Sequence, residues 1–281
     1  MSPLATPWLF LLGCTGPVAA EVPGEVAVDP FEVLATSMRT QVPGFTVVVE
    51  RPYVVAGDGT PAEVERRARQ TVRWAHAQLR SLYFDADPPE PVAVWLFADD
   101  DSYVRHVEAW LGDSPDTPYG FANDDGLFMN ISTGGGTLVH EMVHPLIAAN
   151  VPGCPPWFNE GLASLYEASG ERDGRIVGLL NWRLPGLQEG LRKGTAPSLT
   201  TLMALDTEGF YEDPHGTHYG VARYLVYRLQ EEGVLERYFD ELVANLAQDP
   251  TGVQALKTVL GRDDLDTFEA EWRAWVMTLE R

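Results

Sequence analysis

The segment Thr133-Gly-Gly-Gly-Thr-Leu-Val-His-Glu-Met-Val-His-Pro145 places two histidines and a glutamate at the spacing H-E-x-x-H. On an α-helix, residues four apart stand above one another on one face, about 6 Å apart, so His140 and His144 can point at a single ion. Glu141 sits about a quarter-turn round, where a carboxylate can take a proton from water beside that ion. The glycines before the helix invite a rival chemistry, a phosphate cradle. That loop needs Lys and Ser/Thr after its glycines, and Gly134-Gly-Gly136 is followed by Thr137-Leu-Val-His instead. The glycines are therefore read as a sharp turn into a helix capped by Thr133 or Thr137. Pro145 disfavours helical geometry at His144 and deprives the Glu141 carbonyl of its donor, so a kink is expected just beyond the last histidine.

Two histidines need a third ligand. Trp157-Phe-Asn-Glu-Gly-Leu-Ala163 supplies Glu160 on a second expected helix, and Pro152, Gly153, Pro155 and Pro156 break the chain so that this helix can fold back on the first. Three protein ligands with an open fourth position describe a catalytic rather than a structural zinc site. Zinc there activates water, and Glu141 would accept its proton during attack on a carbonyl.

HEMVH followed by WFNEGLA resembles the gluzincin metallopeptidases, in which H-E-x-x-H and a downstream N-E-G-x-A segment bind zinc. The resemblance implies His140, His144 and Glu160 as ligands of one Zn2+ and Glu141 as general base. Fifteen residues separate His144 from Glu160, fewer than in the aminopeptidases of that group. The bacterial peptidase-MA-like proteins are more similar, and their later helix resembles "HYGVARYLVYRLQEEG" at His218 to Gly233. The G-x-M-E-N segment that holds a substrate amino terminus in the aminopeptidases is absent, so the expected activity is that of an endopeptidase on a peptide or protein substrate. Of Tyr211, His215, His218 and Tyr219, the oxyanion stabiliser is expected to be Tyr219, the tyrosine at the head of the family-like helix, with His218 next. Asn159 is read as orienting a helix start or a backbone group rather than contacting substrate, His76 and His106 as surface or core groups, and Cys154 as no ligand.

The elements that must position these residues change character along the chain. Strands are expected at Phe45 to Glu50, Arg51 to Ala56 and Pro91 to Phe97, where β-branched and aromatic residues cluster. Helices are expected over Phe31 to Arg39, Pro61 to Phe84 and Ser102 to Leu111, the last capped by Asp99 to Asp101. Tyr119 to Ala122 and Leu127 to Ile131 read as a hairpin across Asn123-Asp-Asp-Gly126. It offers an edge on which an extended peptide could add as a strand. From Thr137 the pattern is helical: Thr137 to Asn150, Pro156 to Ala168, Tyr219 to Glu232, Leu235 to Ala247, Gly252 to Leu260 and Leu265 to Leu279, with irregular loops between. The expectation is an α+β, zincin-like fold: a mixed α/β lobe with a small sheet (45–150), a mostly helical lobe (151–281) carrying the third ligand, and the active-site helix at their junction.

Composition bounds the partners. With 41 Asp+Glu against 20 Lys+Arg, a formal charge of -21 repels nucleic acid and anionic lipid. Residues 1–20 read as a bacterial export signal, with two fates. "LLGC" at Leu11 to Cys14 resembles a lipobox that would anchor the chain to a membrane through a lipidated Cys14. "PVAA" before Glu21 resembles a leader-peptidase site that would release a periplasmic or secreted protein. Residues 21–44 read as a linker. The two cysteines, Cys14 and Cys154, give no disulfide framework. Besides a peptidase, the sequence admits a catalytically silent binding or assembly protein of the cell envelope on the same scaffold, or a zinc amidase acting on a non-protein substrate. Oligomeric state has no signature.

Overall fold

The computed structural model describes residues 28–281. The expected export signal, Cys14 and residues 21–27 of the expected linker lie outside the described residues; the rest of that segment is no linker, because Pro30–Gln41 is a helix whose Ala35 and Met38 are buried in the core. Among the described residues, no helix is long and apolar enough to cross a membrane.

The fold is mixed α/β. Helix α1 (Pro30–Gln41) leads into strands β1 (Thr46–Glu50) and β2 (Tyr53–Gly57). A long helix follows: α2 (Pro61–Arg67) runs through a π-helical stretch (Ala68–Arg73) into α3 (Trp74–Leu82). Its start is fixed by a capping box between Thr60 and Glu63, with Pro61 in the first turn, where its missing N–H costs nothing. Then come β3 (Val92–Phe97), α4 (Asp100–Leu111), and the hairpin β4 (Gly120–Asn123) and β5 (Gly126–Asn130). Asp99 caps α4 by accepting from the Ser102 N–H at 2.8 Å. The five strands form one sheet in the order β1-β2-β3-β5-β4, with β2, β3 and β5 parallel and both outer pairs antiparallel. β4 is thus a sheet edge.

Strand alternation divides the core. Tyr53, Val55, Val94, Leu96, Leu127 and Met129 face the long helix and the helices that follow. Val54, Ala56, Ala93, Trp95, Phe97 and Phe128 face α1 and α4. Helix α5 (Gly136–Asn150) lies on the first face, and α6 (Pro156–Leu165) returns against it after the Pro/Gly break. One continuous apolar cluster then runs from that face of the sheet through α5 and α6 into the C-terminal helices, ending at Trp272 and Val276. Those helices are α7 (Leu184–Lys193), α8 (Leu199–Met203), α9 (Thr207–Tyr211), α10 (His218–Glu231), α11 (Leu235–Asn245), α12 (Val253–Leu260) and α13 (Leu265–Val276). Gly161 lets α6 and α10 meet closely, since a Cβ there would fall 3.0 Å from the Ala222 carbonyl.

Two features depart from the sequence-based expectation. The stretch expected to be helical to Ala168 and then irregular contains a hairpin, β6 (Ser169–Arg172) and β7 (Arg175–Gly178). Its turn, Asp173-Gly174, has positive φ at both residues, the pattern of a type I′ turn. α7, α8 and α9 likewise occupy segments where the sequence pattern predicts loop.

Candidate metal centre

α5 begins without the cap expected from the sequence. Its N-cap is Gly135, which offers no side-chain bond, and Thr133 donates instead to the Asn130 carbonyl at 2.9 Å. The glycines serve approach rather than capping. Gly134 takes φ +116, and a Cβ on Gly136 would stand 1.9 Å from the Glu167 carbonyl oxygen. The helix continues through Pro145 to Asn150, with His140, Glu141 and His144 in the turns before it. Pro145 cannot donate to the Glu141 carbonyl, and the buried Tyr53 hydroxyl donates to the neighbouring Met142 carbonyl at 3.3 Å.

The fold brings His140, His144 and Glu160 together, with one ligand atom of each within 4.8 Å of the others. His140 Nε2 is 3.4 Å from Glu160 Oε2, and His144 Nε2 is 4.0 Å from Glu160 Oε1. The imidazole centroids are 5.0 Å apart. A tetrahedral ion with bonds near 2.1 Å needs donors about 3.4 Å apart, so small side-chain shifts suffice. His140, Glu141 and Glu160 are 7%, 9% and 3% exposed, which removes the competing water that a surface cluster would have.

The outer nitrogens are held by partners of different charge. His144 Nδ1 meets the Asn159 side-chain oxygen at 2.9 Å. His140 Nδ1 lies 3.3 Å from Glu167 Oε1, outside good hydrogen-bond geometry, in what is chiefly a charge contact. Glu167 is gripped by Arg183, which donates through Nε and Nη2 at 2.8 and 2.6 Å, and by the Asn181 amide at 2.9 Å. With both Nδ1 atoms so engaged, both Nε2 atoms face Glu160. Glu160 Oε1 accepts from the Tyr211 hydroxyl at 2.5 Å, whereas Oε2 is buried with no hydrogen-bond partner. Only the His140 ring faces that oxygen, at 3.4 Å and without a hydrogen bond, and a buried carboxylate oxygen so placed favours a cation beside it. This donor set fits a divalent metal ion: the group could hold one.

Electrostatics agree with tight coupling. Burial alone would lower the His140 pKa, but the adjoining Glu160, Glu167 and Glu141 carboxylates outweigh it and push it up to about 10. His144 goes the other way, held below the usual imidazole value by burial and by His140. Burial opposes ionisation of Glu160, yet His140, His144 and Tyr211 hold its carboxyl below the ordinary range. Glu167, against the same opposition, is drawn down to about 2 by Arg183 and His140. Glu141 has no such partner: burial, with Glu160 and Glu167 adding to it and His140 resisting, raises it to about 7.

Glu141 opens onto a cleft of about 500 Å³ lined also by His140, Tyr219, Arg183, Trp182 and the edge residues Gly120 and Phe121. The Arg183 guanidinium lies 4.7 Å from the Tyr219 ring centre. Tyr219 therefore reaches the site. His218 does not: its Nδ1 is 2.9 Å from the Phe210 carbonyl, its backbone N–H donates to Asp213, and it is not among the residues lining the cleft. His215 is exposed, and Cys154 stands apart with Sγ toward the Pro155 carbonyl. Sequence reasoning missed Glu167, Arg183 and Asn181 and gave Asn159 too small a role. Asn159 stands beside Glu160, and Glu167 lies in the turn just past the end of α6 at Leu165; its i, i+7 spacing from Glu160 within the helix expected to Ala168 was the one available signal. Comparison of the sequence with protein-family models and with curated proteins returns no match.

Proposed function

We propose that the chain is a zinc-dependent metallopeptidase of the zincin type that cleaves within peptides. One observation carries the reading: two imidazole Nε2 atoms converge on a buried carboxylate with an unpartnered oxygen, beside a second, cleft-facing carboxylate. Zinc, when bound by His140, His144 and Glu160, supplies the Lewis acidity that makes water a competent nucleophile near neutral pH. Glu141 Oε2, 3.8 Å from His144 Nε2, takes the proton of the attacking water and returns it to the departing amide nitrogen. The Tyr219 hydroxyl, raised in pKa chiefly by burial and so kept protonated, donates to the developing oxyanion. Tyr211 holds Glu160 in place. The exposed edge of β4 gives an extended substrate backbone groups to pair with.

The experiment is metal content of the purified chain beside digestion of casein and a peptide library, with and without chelator. About one zinc per chain with chelator-sensitive cleavage is expected. Glu141→Gln should keep the zinc and lower turnover by roughly two to four orders of magnitude, since only the proton acceptor is lost. Undiminished cleavage in that variant removes Glu141 from the mechanism. Zinc without cleavage of any peptide turns the reading toward a silent envelope binding protein, and cleavage of small amides alone toward an amidase.

A further inference from the structure

A second cavity lies on the other side of the histidine pair. This hollow, of about 1030 Å³, lies beyond His144 between the Pro145 end of α5, the β4–β5 turn and the loop from Ala86 to Pro91. β4 spans both cavities: Gly120 and Phe121 line the one beside His140, Ala122 and Asn123 the one beside His144. A strand added to β4 would therefore cross the metal group with side chains falling in each arm.

The arms differ in chemistry. The one beside His140 is aromatic, with Tyr119 and Trp182 about half exposed, and the charge of Arg183 is spent on Glu167. The one beyond His144 contains no Lys or Arg among its lining residues, and its rim carries Glu90, Asp124 and Asp125. All three are exposed, and none forms an ion pair among the described residues. Asp87, in the same hollow, is already matched by His76 and Arg80. The floor is short and apolar, with Pro145, Ala148 and Ala149 from α5. A long cationic side chain suits that shape: its methylenes lie on the floor while its head meets the acidic rim.

We propose that this arm accepts a lysine or arginine side chain of an extended peptide lying along β4, so that the site takes basic peptides. The inference rests on the peptide-cleft reading above, through the metal group that joins the arms. Binding is read without turnover, on zinc-loaded Glu141→Gln protein, by fluorescence anisotropy of labelled peptides identical except for one position set in turn to Lys, Ala or Glu.

At one register, the Lys peptide is expected to bind about three- to tenfold more tightly than the Ala peptide, and the Glu peptide more weakly, the gap narrowing as salt is raised. Asp124→Asn, Asp125→Asn and Glu90→Gln combined, all at exposed positions, should erase the preference while leaving the Ala peptide unchanged. Equal binding at every position, a preference that survives in the triple variant, or no binding of any peptide overturns the proposal. Selective binding without cleavage by the unmutated chain retires the hydrolase reading alone, and cleavage indifferent to charge retires the acidic arm alone.

Discussion

His140 and His144 stand four residues apart on α5 and face the same carboxylate, yet what stands behind each differs. His140 is backed by an anion, Glu167, which Arg183 and Asn181 hold in turn. His144 is backed by the neutral amide of Asn159 and faces the more open arm of the cleft, its side chain 21% exposed against 9% for His140. The two imidazoles differ in acid–base character: the Glu160, Glu167 and Glu141 carboxylates overcome burial and raise His140 to about 10, whereas burial and His140 lower His144. A ligand's basicity is set by the group on its far nitrogen as much as by its own ring.

The largest effect is expected where α5 and Glu167 meet. Gly136→Ala puts a methyl 1.9 Å from the Glu167 carbonyl oxygen, so either the helix start or the turn carrying Glu167 must move. The cost is about 3 kcal/mol, a fall in melting temperature of about 6–12 °C. Metal affinity should fall with it, because His140 loses its support. Gly134→Ala, where nothing lies within 4 Å but φ is +116, should cost stability through backbone strain alone and spare the metal. Calorimetry and zinc titration of the two variants separate approach from strain.

Next is Glu167→Gln, which removes the charge behind His140 but keeps its size. Zinc affinity should drop about 10–100-fold. The drop should widen as pH rises, because at lower pH the variant also loses a group that kept a competing proton on His140. A pH-independent loss would mean that Glu167 orients the ring without tuning it. In the chain by itself His140 is protonated at pH 7, being raised to about 10, whereas the lowered His144 is neutral. Zinc must displace the first proton and finds the second nitrogen free, so uptake between about pH 7 and pH 9 should release about one proton. Affinity should weaken about tenfold for each pH unit lost across that window. Calorimetry in buffers of different ionisation enthalpy counts the proton directly.

Much of this asymmetry was hidden in the sequence for physical reasons. The convergence of His140, His144 and Glu160 was legible because helix geometry is local: four residues return to the same face, and the prolines and glycines from Pro152 to Pro156 announce a reversal that brings Glu160 back. The sheet strands were legible from their β-branched and aromatic runs, and α10 to α13 from their helical periodicity. Arg183 reaches Glu167 across an intervening hairpin, and no spacing rule predicts that. The hairpin carried a usable signal, Asp173-Gly174, but its strands are four residues each and only β7, with Ile176 and Val177, carries apolar side chains, too short a run to show alternation. The threonine cap failed because Gly136 had a stronger constraint to satisfy, the close passage of Glu167. His218 failed because one residue's rotation on α10 sends it to the Phe210 carbonyl and Tyr219 to the cleft.

The smallest expected effect is at Asn159, and it decides what the asymmetry is made of. Asn159→Ala removes one neutral hydrogen bond to His144 and should weaken zinc only about fivefold, the worth of roughly 1 kcal/mol. Asn159→Asp instead makes the two halves alike by placing a carboxylate 2.9 Å from His144 Nδ1, where the amide oxygen stood. If the charge of the backing group sets each ligand's proton affinity, His144 should then hold a proton of its own near neutrality, and zinc uptake should release close to two protons rather than about one. If the count stays near one, burial and the neighbouring His140 cation govern His144, and the contrast between Glu167 and Asn159 is one of orientation.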